Sequence, residues 1–174
     1  QGKTLGIIGM GRIGKAMAKR CHHALDMKVV FYDAFPVSDP GVPAEQLDTV
    51  DDVLEAADVV SLHCPGGGDN IHLINADRLK RMKPTAFLVN SARGDIIDEA
   101  ALVGALEAGE IAGAGLDVFE REPSVEAALL SMNNVALLPH LGSATTETRE
   151  AMGMTVVDNI TAFFNGEEPP NRVV

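Results

Sequence analysis

Short apolar runs along the chain alternate with longer stretches in which apolar residues recur at helical spacing. Runs rich in Val, Ile and Leu are typical of strands buried in a parallel sheet, and the stretches between them predict crossover helices. The predicted strands are Thr4–Gly9, Lys28–Asp33, Asp58–His63, Ala86–Asn90, Gly113–Val118 and Val135–Leu138. The predicted helices are Ile13–Ala24, Val50–Ala57, Ala76–Met82, Glu99–Ala108, Val125–Met132 and Thr146–Asn165, the last followed by Gly166 as its terminating residue.

This alternation predicts an α/β fold, a doubly wound parallel (Rossmann) sheet in a three-layer α/β/α arrangement. Its common strand order is 3-2-1-4-5-6. With no linker or repeat, residues 1–174 are expected to form one domain. The chain begins without Met and enters a strand almost at once, so we expect it to be a piece of a longer protein.

Composition narrows the range of partners. The formal net charge of −11 argues against nucleic acid, which requires a basic surface. No apolar run reaches the roughly 18 residues of a membrane span. The two cysteines, Cys21 and Cys64, form no C-x-x-C motif, and we find no metal-ligand spacing, so we expect a cytoplasmic protein without a metal.

The first predicted strand runs directly into a glycine motif, Gly9-x-Gly11-x-x-Gly14, that opens a helix. In this context the first glycine permits a tight turn, the second lets the backbone approach a pyrophosphate, and the third lets the helix pack on the strand. The free N–H groups near Arg12 and Ile13 would then bind phosphate, aided by the helix dipole.

Asp33 ends the second predicted strand, nineteen residues after Gly14. A carboxylate at this place accepts hydrogen bonds from both ribose hydroxyls of NAD and repels the 2′-phosphate of NADP. No Arg or Lys follows within the next seven residues, AFPVSDP, so the sequence favours NAD over NADP. The alternative is an ordinary capping aspartate beside a structural glycine turn.

Three further strand ends carry polar groups. Arg93 follows a buried strand and could bind a carboxylate, although a surface salt bridge with Asp95 or Asp98 is the alternative. The second and third are Glu122, in the stretch after a Gly/Ala-rich strand, and His140, after the last strand. Taken alone, such a histidine is more often structural than catalytic, but the combination of Arg, Glu and His with a dinucleotide motif favours catalysis.

The chain resembles the cofactor-binding domain of the NAD-dependent D-isomer-specific 2-hydroxyacid dehydrogenases. The motifs that carry the resemblance are GIIGMGRIG, VSLHCP, LINADRLKRMKPTAFLVNSARGDIIDEAAL, GAGLDVFEREP and LLPHLGSAT, which span nearly the whole chain. The overall resemblance points to a glyoxylate or hydroxypyruvate reductase.

The resemblance implies a role for each matching residue. Arg93 would bind the carboxylate and carbonyl of the substrate, His140 would be the acid/base, and Glu122 rather than Glu120 would pair with that histidine. Asp117 would lie near the nicotinamide carboxamide. The remaining cofactor contacts would come from Cys64, Pro65, Ala92 and Gly142.

Two departures from the family pattern qualify these roles. The family has a Thr-Pro-rich loop after HCP, whereas this chain has Gly66-Gly67-Gly68, which predicts a more mobile loop. The family's N-terminal substrate-binding segment is not in the chain, so we expect the isolated chain to bind cofactor with little or no catalysis. The resemblance also implies a homodimer formed through this domain. The rival function is a non-enzymatic NAD-sensing module, because transcriptional corepressors resemble the same family.

Overall fold

A computed structural model describes residues 1–173 and contains one seven-stranded sheet in which all neighbouring strands are parallel. Its strands are β1 (Thr4–Ile8), β2 (Lys28–Tyr32), β3 (Ala44–Gln46), β4 (Val59–Leu62), β5 (Phe87–Asn90), β6 (Gly113–Leu116) and β7 (Val135–Leu137). Their order across the sheet is β3-β2-β1-β4-β5-β6-β7. The predicted doubly wound parallel fold is therefore confirmed.

The short strand β3 lies at one edge and was not predicted. It pairs with β2 and occupies the edge of the sheet. The strand predicted as the third, Asp58–His63, is therefore the fourth strand of the structure, β4, and it pairs with β1. A side chain anchors this edge, because Gln46 accepts a hydrogen bond from the N–H of Val37 at 3.0 Å.

The helices are α1 (Arg12–Leu25), α2 (Val50–Ala56), α3 (Ala76–Leu79), α4 (Glu99–Glu107) and α5 (Thr146–Phe164). The predicted helix Val125–Met132 is wrong, because only the single 3-10 turn Leu129–Ser131 forms there. The N–H groups of Leu129 and Ser131 bond to carbonyls three residues back rather than four.

Alternate residues of β1 show why the fold has three layers. Leu5 and Ile7 belong to one buried cluster together with Ala18 of α1, whereas Ile8 belongs to a second cluster with Val53 of α2. Successive side chains of a strand point to opposite faces, so at β1 each face of the sheet is covered by a helix of its own.

The parallel register brings the carboxyl ends of the central strands to one edge. Ile8 pairs with both Tyr32 and Leu62, Leu62 pairs with Asn90, and Asn90 pairs with Leu116. The segments that leave these five ends carry the polar residues singled out in the sequence, and an open parallel sheet binds ligands outside this edge.

The chain divides into two compact units, Gln1–Pro139 and a second that begins at His140. The second unit consists mainly of α5, whose N-terminus is capped by the hydroxyl of Thr145. At its other end the N–H of Gly166 bonds to Phe163 and that of Glu167 to Ala162, and Gly166 has a φ of +77°. This is a Schellman ending, as the predicted role of Gly166 requires.

Candidate functional site

The glycine turn after β1 is held tightly at two of its three glycines. Gly9 has a φ of +94°, and a Cβ there would lie 2.6 Å from the backbone nitrogen of Cys64. A Cβ on Gly14 would lie 2.3 Å from the carbonyl oxygen of Gly9. Both positions therefore exclude any side chain, because backbone atoms cannot move aside as a flexible side chain can.

Gly11 differs from these two, because a Cβ at this position would meet nothing within 4 Å. It precedes α1 without a side chain that could cap the helix, and the first turn of α1 contains no acidic residue. The first N–H groups of the helix thus face open space with a positive partial charge. The chain's own packing does not require glycine here, so close approach of a ligand is the physical reason that fits.

A cleft of about 810 Å³ lies over this turn and is lined by Gly9, Gly11 and Asp33 as well as by segments that follow β4. Asp33 is half-buried, and its two carboxylate oxygens accept hydrogen bonds from the N–H groups of Met10 at 2.8 Å and Phe35 at 3.1 Å. Asp33 therefore connects the glycine turn to the loop after β2, in addition to lining the cleft.

The segment after β4 forms the opposite wall, with His63, Cys64 and Pro65 lining the cleft. Burial raises the pKa of the Cys64 thiol to about 11, assisted by the charges of Asp95 and Asp33, so the thiol is neutral at physiological pH. Burial also lowers the pKa of His63, whose Nε2 lies 2.9 Å from the hydroxyl of Ser61. The cysteine of this wall is therefore neutral, and the same segment also places Asp69 in the cleft.

Arg93 extends from the loop after β5, and Asn90 holds its main chain. The buried Asn90 side chain donates to the carbonyl of Arg93 at 2.8 Å and accepts from the N–H of Ala92 at 3.0 Å. The Arg93 side chain is exposed and donates to the Ala92 carbonyl at 2.6 Å, and it forms no ion pair within residues 1–173. Asp98 instead caps α4 by accepting from Ala101, so the structure does not support the salt-bridge alternative.

The loop that follows β6 packs directly on the loop that carries Arg93. A Cβ on Gly94 would lie 1.9 Å from the carbonyl carbon of Phe119, so only glycine permits this contact. Glu122 lies in the same β6 loop, where its Oε1 accepts from the N–H of Phe119 at 3.0 Å. Asp117 is buried at the end of β6 and its N–H donates to Asn90 at 2.9 Å. The loops of Arg93 and Glu122 are therefore neighbours at the carboxyl edge.

His140 is exposed, has a φ of +55° and is the first residue of the second unit, which also contains Gly142. Within that unit a turn follows, in which Ala144 donates to the carbonyl of Leu141 at 3.0 Å. The pairing of His140 with Glu122 and the cofactor contact of Gly142 stay predictions.

A family model for the NAD binding domain of the D-isomer specific 2-hydroxyacid dehydrogenases matches residues 1–142. The chain belongs to this family. The resemblance inferred from the motifs is thereby confirmed, as is the Rossmann fold of this dehydrogenase domain.

The relatives of the dehydrogenase domain include several glyoxylate reductases. That of Thermococcus litoralis is 47% identical over 175 residues, which cover 99% of this chain and 52% of the relative. That of Pyrococcus furiosus is 47% identical over 173 residues, covering 99% of this chain and 51% of the relative. The crystal structure of an NADPH-dependent glyoxylate/hydroxypyruvate reductase from Sinorhizobium meliloti, in complex with NADP and malonate, has a TM-score of 0.95 at 43% identity, covering 100% of this chain and 54% of that one. The chain therefore spans about half the length of these relatives.

Sequence reasoning missed residues of the dehydrogenase domain that hold the loops in place. Glu99 is buried at the start of α4, and its Oε1 accepts from the N–H of Glu120 at 2.7 Å in the β6 loop. Asn90 was read only as the end of a strand. Glu99 carries no signal in the sequence because its partner lies 21 residues away in another segment, whereas the side chain of Asn90 bonds to residues two and three positions further along its own loop.

Two other kinds of site are absent from residues 1–173. No group of three or more His, Cys, Asp or Glu side chains is placed to hold a metal ion there. In the same residues, no helix is both long and apolar enough to cross a membrane.

Proposed function

We propose that residues 1–174 are the NAD-binding domain of a reductase that transfers a hydride from NADH to a small 2-oxo acid of the glyoxylate or hydroxypyruvate type. The observation that carries the proposal is the convergence of the glycine turn, Asp33 and the Arg93 loop on one edge of the sheet. A region that completes the substrate site would lie outside these residues, because the chain spans only about half of its relatives.

The residues at the cleft suit a dinucleotide. The pyrophosphate would lie at Gly11, where a side chain is absent although the fold has room for one, and the first N–H groups of α1 would bind it. The ribose next to the adenine would donate to Asp33. Bound in this way, the nicotinamide ring of the cofactor supplies the hydride.

The chain's own residues would handle the substrate and the proton. The guanidinium of Arg93 would hold the carboxylate of the 2-oxo acid with two parallel hydrogen bonds and polarise the carbonyl. His140 would donate a proton to the carbonyl oxygen as the hydride arrives at carbon, which yields the 2-hydroxy acid. A pairing of Glu122 with His140 would favour the imidazolium, which would keep that proton available.

We propose that NADH is preferred over NADPH. The Asp33 carboxylate would repel a 2′-phosphate, and the guanidinium of Arg78, which also lines the cleft, is bound to Asp51 through its Nε at 2.8 Å. Among the residues that line the cleft, a 2′-phosphate would therefore meet a carboxylate without an unpaired Arg or Lys to offset it. The Sinorhizobium relative is described as NADPH-dependent, so the preference of this chain needs its own measurement.

Titration of NADH and NADPH fluorescence with wild type and Asp33→Asn tests this preference. The amide keeps an acceptor for the N–H of Met10 but removes the negative charge, so we expect the preference for NADH to fall by about tenfold or more. Asp39→Asn is the matched control, because Asp39 accepts from Gly41 at 2.8 Å in a nearby exposed turn. An unchanged NADH/NADPH ratio in Asp33→Asn would contradict the ribose role.

Turnover by the full-length protein tests the reaction. We expect NADH oxidation with glyoxylate or hydroxypyruvate, loss of most activity in Arg93→Ala, and little turnover from residues 1–174 alone. Intact NADH binding with no turnover of any 2-oxo acid would instead favour an NAD-sensing module related to corepressors.

We also propose a homodimer through this domain, which sedimentation of the full-length protein would reveal.

A further inference from the structure

The glycine loop after β4 touches the Arg93 loop more closely than any other residue type would allow. A Cβ on Gly66 would lie 2.4 Å from Asp95 Oδ1 and 2.8 Å from the Cβ of Arg93. The neighbouring Gly67 and Gly68 have φ values of +77° and +53°, which favour glycine. The loop that leaves the cofactor cleft at Pro65 therefore lies directly against the segment that carries the proposed substrate arginine.

Asp95 holds this loop at two points. Its Oδ2 accepts from the N–H of Gly67 at 2.8 Å, and its main-chain carbonyl accepts from the N–H of His72 at 2.8 Å. A run of three glycines loses much conformational freedom when it is ordered, so bonds of this kind determine whether the loop has one position. Hydrogen bonds to a charged acceptor are the stronger kind.

The other oxygen of Asp95 shows that this arrangement has a cost. Oδ1 is buried beneath Gly66 and has no hydrogen-bond donor among residues 1–173. A buried acceptor without a partner is unfavourable, so hydration of Oδ1 favours loop opening whereas the Gly67 bond favours closure. Asp95 is not part of either hydrophobic cluster and forms no salt bridge among residues 1–173. Its structural effect is therefore the contact with the loop.

We propose that Asp95 is a positioning residue that fixes the 66–72 loop against the Arg93 segment and thereby couples the cofactor cleft to substrate binding. Asp95 does not line the cleft and acts through the loop. The coupling acts because Pro65, which directly precedes the loop, lines the cleft, while Arg93 packs against the first residue of the loop, Gly66. This inference rests on the proposed reductase function for its consequence on catalysis, but not for its effect on the loop.

The test compares Asp95→Ala with Asp95→Asn in the full-length protein. Alanine removes the acceptor for Gly67, and we expect NADH to bind about tenfold more weakly and KM for glyoxylate to rise more than kcat falls. Asparagine retains an oxygen for the same N–H, so it should restore both values to within about threefold of wild type. Hydrogen exchange of residues 66–72 without ligand should accelerate about tenfold in Asp95→Ala alone.

Two further variants separate this role from general destabilisation. Asp39→Ala loses the same kind of bond, from Gly41 at 2.8 Å, in an exposed turn outside the cleft, and should leave NADH binding unchanged. Gly66→Ala would displace Asp95 and Arg93, and should therefore weaken the binding of both NADH and glyoxylate. This variant tests the same loop contact if Asp95→Ala does not fold.

The results distinguish two failures. If wild type binds no NADH but loop exchange still accelerates in Asp95→Ala, the proposed function is wrong and the positioning role stands. If Asp95→Ala matches wild type in NADH affinity, KM and exchange, or if Asp95→Asn is as impaired as Asp95→Ala, the positioning role is overturned.

Discussion

Gly11 and Gly14 lie three residues apart in the glycine turn, but an added methyl group would meet different surroundings at the two positions. On Gly11 it would meet nothing within 4 Å, whereas on Gly14 it would lie 2.3 Å from the Gly9 carbonyl oxygen and 3.2 Å from the Ile7 side chain. Alanine substitutions at the two positions therefore separate cofactor binding from folding.

The two substitutions are expected to change different properties, the cofactor affinity for Gly11→Ala and the free energy of unfolding for Gly14→Ala. For Gly11→Ala, the poorer N-cap costs about 0.5–1 kcal/mol, and the stiffer unfolded chain contributes about the same in the opposite direction, so stability stays nearly constant. For Gly14→Ala, a backbone overlap costs at least about 3 kcal/mol against a helix-propensity gain of about 1 kcal/mol. The net loss of about 2 kcal/mol lowers Tm by about 4–8 °C. Cofactor binding should weaken about 10- to 100-fold in Gly11→Ala, because a methyl group would push the pyrophosphate away from the helix N–H groups.

Thermal unfolding and NADH titration of the same samples provide the measurements. Gly104→Ala is the control, since Gly104 lies within α4 and its added methyl group would also meet nothing within 4 Å. We expect this variant to keep the NADH affinity of wild type and to raise Tm by about 2–4 °C, because alanine is about 1 kcal/mol more favourable than glycine inside a helix. If Gly11→Ala lowers Tm as much as Gly14→Ala does, or binds NADH as wild type, the reasoning about Gly11 is refuted.

Two titratable groups, the half-buried His63 and the buried Glu99, lead to the remaining predictions. Burial lowers the pKa of His63, so below pH 6.5 the folded chain binds fewer protons than the unfolded chain, and the unfolding free energy should fall as pH drops from about 7 to 5. Chemical denaturation should show a shallower fall in His63→Asn; parallel pH profiles would contradict this. Burial raises the pKa of Glu99, so its ionisation costs stability as pH rises above 4.5, and Glu99→Gln should be neutral or stabilising at pH 7. Glu99→Ala should instead lose about 1–3 kcal/mol by leaving the Glu120 N–H without its acceptor, and equal stability of the two Glu99 variants would argue against this contact.

The sequence predicted the elements that depend on local patterns. Alternating apolar runs and helical spacing identified β1, β2 and α1, with boundaries that differ from the structure by one residue at most ends. It missed β3, whose residues Ala-Glu-Gln carry no strand signal, because this strand exists only through pairing with β2. It also predicted a helix at 125–132, where the structure has only one 3-10 turn. Helix propensity is a weak preference that tertiary context overrides.

The candidate site divides in the same way. The glycine motif and Asp33 could be recognised because a strand, a turn and a helix follow one another along the chain, and Arg93 because it follows a buried strand. The sequence did not reveal that Asp33 also accepts from Met10, or that Asp95 accepts from Gly67 rather than pairing with Arg93. Those partners are separated by 23 and 28 residues.

The sequence by itself therefore determined the fold class, the family and the type of ligand. These follow from hydrogen bonds within a turn, side-chain periodicity and motifs whose residues lie close together in the chain. The tertiary structure alone decided which glycines are required by packing and which are not, and which loops touch at the carboxyl edge. Gly14 and Gly11 look alike in the sequence, but only one is pressed against the backbone of another residue. That difference arises from parallel strand pairing, which brings together segments that lie far apart along the chain.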